Sequence, residues 1–112
     1  MISFLLDSSA FYALADQHDK WHEEMVRAVE SEPGDRVVPV TVLPEACDMI
    51  GTHLGPAAER RLVRAAARGA FLWERVGLSD LTRAGRALEK DAGADFGLVD
   101  ASIVAIAERL TM

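Results

Sequence analysis

One cysteine, Cys47, stands in 112 residues. No internal disulfide is available, and so spare a use of thiols fits a reducing compartment. Aromatic residues make up only 6% of the chain, so a core has to be built mostly from aliphatic side chains. No apolar run approaches the ~20 residues of a membrane span. No basic segment precedes the first apolar run, so no signal peptide is expected and the cytoplasm is the default location. The sequence also has no Walker A loop, no GxGxxG, no GxSxG elbow and no CxxC or HExxH pair. Those absences remove the usual nucleotide, serine-hydrolase and zinc chemistries, and leave His18, His22 and His53 without ligand spacing.

Basic residues are scarce outside one segment. Residues 1–59 hold 3 lysines and arginines against 11 acids, residues 87–112 hold 2 against 5, and residues 60–86 hold 7 arginines against Glu74 and Asp80. A net charge of −6 excludes a general nucleic-acid coat, which would be basic overall. Arg60, Arg61, Arg64 and Arg68 recur at i, i+1, i+4 and i+8. That spacing gives either a solvated helix face or a ridge that follows phosphates.

What remains is an ordinary globular composition, 50% hydrophobic and 27% charged, in a length that suits one domain over residues 1–112. Ile2–Leu6 is an apolar run that reads as a buried, parallel-type strand. Arg36–Val40 and Ala70–Val76 read as two more strands. Between and after them, helical spacing predicts helices over Ala10–Asp16, Lys20–Glu30, Thr41–Leu54, Pro56–Arg68, Leu81–Lys90 and Val99–Leu110. Thr41 is the expected cap of the third. Pro33-Gly34-Asp35 and Asp91–Gly97 are expected turns. Strands alternating with helices predict an α/β fold with a parallel sheet covered on both faces. Trp21 and His22 are read as packing residues of the second helix.

Three acids sit where such a fold puts ligands, at the carboxyl ends of strands and the starts of helices. Asp7 follows the first strand, Glu45 opens the third helix, and Asp100 opens the last. Each has a structural reading as well. Asp7 can be a cap, Glu45 a carboxylate favoured by the helix dipole, and Asp100 a buried N-terminal acid. Asp100 is followed at +3, +4 and +7 by Ile103, Val104 and Ala107, expected to be the buried side of its helix, where an ionised acid needs a partner. If the three converge, a hard cation such as Mg²⁺ suits their oxygens. Ser9 and Asp95 are nearby supporting candidates.

The blocks Leu6-Asp7-Ser8-Ser9-Ala10, Val42-Leu43-Pro44-Glu45 and Leu98-Val99-Asp100-Ala101-Ser102-Ile103-Val104, in this order and spacing, resemble those of PIN domains of the VapC type, the toxin half of bacterial toxin–antitoxin pairs. The resemblance covers essentially the whole chain. It implies a PIN-like parallel sheet flanked by helices and a Mg²⁺- or Mn²⁺-dependent endoribonuclease. It further implies homodimers or toxin–antitoxin hetero-oligomers, and an antitoxin that wraps the toxin. By position, Asp7, Glu45 and Asp100 take the places of the family's catalytic, metal-binding acids, with Ser9 in support. Two departures stand against the pattern. The sequence stops at Met112, without the C-terminal edge strand and fourth acid usual in the family, and Gly93 stands where an acid is common. The alternative is therefore a truncated, weakly active or inactive PIN module that mainly binds its antitoxin.

Overall fold

β1 (Ile2–Leu5), β2 (Asp35–Pro39) and β3 (Leu72–Glu74) form a parallel sheet in the order β1-β2-β3. The computed structural model describes residues 2–31, 34–91 and 95–110. Pro33, residues 92–94 and Met112, on which parts of the expected turns and of the C-terminal departure rest, lie outside them. The helices are α1 (Ser8–Ala15), α2 (His22–Ser31), α3 (Val42–Leu54), α4 (Pro56–Ala67), α5 (Leu78–Lys90) and α6 (Leu98–Arg109).

The strand order explains the layering. Parallel crossovers are right-handed, and two successive crossovers stepping in one direction deposit their helices on one face. α1 and α2 bridge β1 to β2, and α3 and α4 bridge β2 to β3; accordingly α1 packs on α2 and on α3, and α3 on α4. α5 and α6 follow β3, pack on each other, and α6 returns to β2. The central strand shows the result. Val37 and Val38 point to opposite faces of β2, yet they are 3% and 0% exposed, so both faces of this strand are covered.

On the α1–α4 side, Leu6, Phe11, Val38, Val42, Ala46, Ile50 and Leu62 form one apolar cluster. Burying each large aliphatic member contributes roughly 1.5–3 kcal/mol. Phe11 and Phe71 meet edge to face at 4.9 Å. α3 and α4 are joined by the single residue Gly55, whose φ of +95° is a conformation that side chains resist. Pro56 then starts α4 where its missing N–H costs nothing.

Two sequence expectations need correction here. Ala70–Val76 yields only a three-residue strand, Leu72–Glu74, because the end of α4 winds on: Ala70 N–H still bonds to Ala65 O at 3.2 Å. Thr41 precedes α3 but makes no side-chain cap bond; its hydroxyl is engaged elsewhere.

Candidate active site

Asp7 leaves the end of β1 and caps α1, its Oδ1 accepting the Ala10 N–H at 2.8 Å. Asp7 is thus the cap of α1, and among the described residues its Oδ2 has no hydrogen-bond partner. Both Asp7 and Ser9 are exposed. Glu45 stands exposed in the first turn of α3, immediately beyond the end of β2. Asp100 is in the first turn of α6, where its Oδ2 accepts the Gly97 N–H at a long 3.4 Å.

The carboxyl edge of the sheet gathers these helix starts. β1 and β2 are parallel neighbours, so Asp7 and the start of α3 leave the sheet at the same edge. α6 is tied there by a hydroxyl pair: Thr41 Oγ1 and Ser102 Oγ lie 2.7 Å apart. Ser102 donates its proton to Val99 O at 2.7 Å, so Thr41 is the donor to Ser102. Helix N-termini carry partial positive charge. Three of them at one edge offset the repulsion of three acids.

The burial expected around Asp100 is not found. The side of α6 that faces inward is Ala101, Ser102, Ala105 and Ile106, while Val104 is 42% exposed and Asp100 itself is exposed. Apolar residues line more than one side of this helix, so spacing from Asp100 selected the wrong stripe. Asp100 is a surface acid at the sheet edge, not a buried one. Asp95 is also exposed, ahead of α6.

Among the described residues the buried acid is Asp80, 3% exposed, which in the sequence stands just ahead of the expected helix Leu81–Lys90. It occupies the same first-turn position in α5 as Asp100 in α6, accepting the Gly77 N–H at 3.0 Å. Arg109 Nε donates to its other oxygen at 3.0 Å, and Arg109 also bridges Glu74 at 2.8 Å. The Arg109 guanidinium, and then the Gly77 amide, hold the Asp80 carboxyl below the usual carboxylate range. By contrast, Asp7, Glu45 and Asp100 have no cationic partner among the described residues.

Their donor atoms are hard oxygens with free lone pairs, which suits Mg²⁺ or Mn²⁺ in kind. As placed, no group of three or more His, Cys, Asp or Glu side chains among the described residues stands close enough to hold an ion. Cys47 offers no alternative nucleophile: burial and the Glu59 charge push its thiol up, away from the reactive thiolate.

A cleft of about 670 Å³ opens at Asp7 and Ser9 and runs between α1, α2 and α3. Trp21 lines it and is 53% exposed, which corrects its reading as a packing residue. Arg60, Arg61, Arg64 and Arg68 are all exposed on or just past α4. No described helix is long and apolar enough to cross a membrane.

No family model matches the chain. Ribonuclease VapC26 of Mycobacterium tuberculosis is 28% identical to it over 105 residues, which cover 94% of this chain and 78% of that protein. The crystal structure of Mycobacterium tuberculosis VapC20, described as a sarcin-ricin loop cleaving toxin, superposes with a TM-score of 0.86 at 23% identity, covering 98% of this chain and 85% of that one. The sequence likeness to a VapC ribonuclease thus spans nearly the whole chain, and the fold is the one seen in the VapC20 toxin.

Proposed function

We propose that this chain is an endoribonuclease toxin that hydrolyses RNA phosphodiesters, with Asp7, Glu45 and Asp100 as its catalytic acids and an antitoxin as its protein partner. One observation carries the assignment of the site: three exposed acids, without a cationic partner among the described residues, stand at helix starts toward one sheet edge, in a chain similar to a ribonuclease along 94% of its length.

Asp7, through its free Oδ2, and Asp100, through Oδ1, would hold a Mg²⁺ or Mn²⁺ ion, with Glu45 beside them. When bound, such an ion neutralises phosphate charge and makes water a better nucleophile near neutral pH. Glu45, unpaired among the described residues, takes the proton of the attacking water. Ser9 Oγ and the N-terminal amides of α1 face the anionic phosphate with donors. The exposed arginines of α4 hold the RNA backbone by charge, and single-stranded or looped RNA suits an edge site because its phosphates are accessible. Homodimers, or hetero-oligomers with the antitoxin, are the proposed assemblies, and the cytoplasm the proposed location.

The absence of a three-acid group among the described residues favours a second reading, a weakly active or inactive PIN module that mainly binds antitoxin. Cleavage of a broad RNA pool separates the two. The nuclease should need Mg²⁺ or Mn²⁺, stop with EDTA, and lose at least ~100-fold in kcat/KM in Asp7→Asn, a loss of ~2.7 kcal/mol of transition-state stabilisation. An intact, antitoxin-binding protein that cuts nothing with either metal selects the binding module.

A further inference from the structure

The cleft that begins at Asp7 and Ser9 has features the catalytic acids do not use. Trp21 is exposed yet held. Its own N–H donates to Asp19 Oδ1 at 2.9 Å, and the next residue, His22, donates from Nδ1 to Ala13 O at 2.7 Å. The backbone is therefore pinned on both sides of an indole that faces solvent. The same cleft is lined by Ala10, Ala13 and Ala28 and by Tyr12, Met25 and Met49. An exposed indole beside small and thioether side chains suits a flat, apolar-faced group. About 670 Å³ is ample for one nucleoside, within the ~300–1,000 Å³ of ordinary ligand sites. Glu24 also lines the slot, has no partner among the described residues, and as a carboxylate can only accept hydrogen bonds.

We propose that this slot receives the base of the nucleotide beside the scissile phosphate, stacked on Trp21, and that Glu24 selects guanine. This rests on the ribonuclease reading above and goes beyond it in assigning base recognition. Bases that flank a cleavage site in single-stranded RNA are free to splay out and stack on aromatic side chains. Guanine presents N1–H and the N2 amino group side by side, two donors that match the two oxygens of one carboxylate. Adenine and cytosine set a ring acceptor beside their amino group, and uracil sets carbonyls on both sides of its one N–H. Lys20 Nζ lies over the Trp21 ring, 5.4 Å from its centroid, and adds positive charge beside the indole. Continuity with Asp7 favours RNA over a protein segment as occupant.

Non-cleavable 2′-O-methyl oligoribonucleotides, oligouridine with or without one guanosine, test this directly. In a Trp73→Phe background the remaining indole fluorescence reports Trp21. We expect quenching on binding, tighter binding of the guanosine oligomer, and a loss of about ten- to a hundredfold in Trp21→Ala with an unchanged salt slope. Trp21→Phe should keep most of the affinity, and Glu24→Gln should erase the guanosine preference while sparing oligouridine. Equal affinity of Trp21→Ala and wild type overturns the slot, and a guanosine preference that survives Glu24→Gln overturns the base assignment. Trp21→Ala that binds RNA normally but loses a co-expressed antitoxin makes the cleft a protein groove and also overturns the proposal. A wild type that neither binds nor cuts any RNA fails at the ribonuclease reading itself, which is distinguishable from all three.

Discussion

Arg109→Ala should unfold this protein more readily than any change at the acids of the sheet edge. Arg109 donates to a carboxylate that is 3% exposed. Its removal leaves Asp80 with only the Gly77 amide. Breaking a buried pair from one side costs ~3–5 kcal/mol because the other charge stays buried. The Arg109 side chain is itself 34% exposed, which admits water and argues for the lower end, about 3 kcal/mol. At ~2.1 cal/mol/K per residue of unfolding entropy, that lowers Tm by about 13 °C. In an Asp80→Asn background the same change should cost only about 1 kcal/mol, since what it then removes is the partly exposed Glu74 pair and the bond to Arg75 O, with no charge left buried. Calorimetry of the four-protein cycle measures the difference. The pH dependence has a fixed sign. Asp80 has a depressed pKa in the fold, so its stabilisation is complete above the unfolded carboxylate value of ~3.9 and drains as pH falls through the lower folded value. The gap between wild type and Arg109→Ala should therefore be full at neutral pH and close in acid. Equal costs of Arg109→Ala in both backgrounds, or a gap that widens in acid, would refute this account.

Asp7 can be split into two roles. Asp7→Asn keeps an oxygen for the Ala10 amide and should leave Tm within about 2 °C, whereas Asp7→Ala should cost about 1 kcal/mol; both should abolish RNA cleavage, and a stable, active Asp7→Asn refutes the assignment. Ser102→Ala should cost about 1–2 kcal/mol by leaving the Thr41 hydroxyl without its acceptor, and Thr41→Val should add little in that background, as urea titration of the pair will show. Gly51→Ala should be neutral or stabilising by up to ~1 kcal/mol, because the new Cβ meets only the carboxylate tip of Glu59, the movable end of a long side chain; a loss above that figure means the two helices cannot give. Arg64→Glu should weaken RNA binding and flatten its salt dependence by about one unit of slope, with thermal stability unchanged.

Most elements were legible because their signals are local. The run Ile2–Leu6 and the apolar spacing of α3 and α4 each report a nearest-neighbour preference, and the structure follows them within a residue or two. Asp7 and Glu45 were legible as edge acids for the same reason: a strand end and a helix start can be read along the chain. What could not be read depends on contacts far apart in sequence. Thr41 looks like a cap, but its hydroxyl goes to Ser102, 61 residues away. Asp80 and Asp100 follow glycines at the same spacing, and only the arrival of Arg109 at one of them decides which is structural. Trp21 fits an apolar helical stripe, yet it sits one residue before α2 begins and so is turned toward solvent.

α6 is fastened at both ends, by Ser102 to Thr41 in its second turn and by Arg109 to Asp80 and Glu74 in its last. The distance between the two fastenings is set by the helix itself, seven residues or about 10 Å at 1.5 Å each. Adding or deleting one residue between them would rotate one fastening by ~100° relative to the other, so this stretch cannot change length. Asp100, two residues before the first fastening, therefore takes its place from the rigid rod behind it.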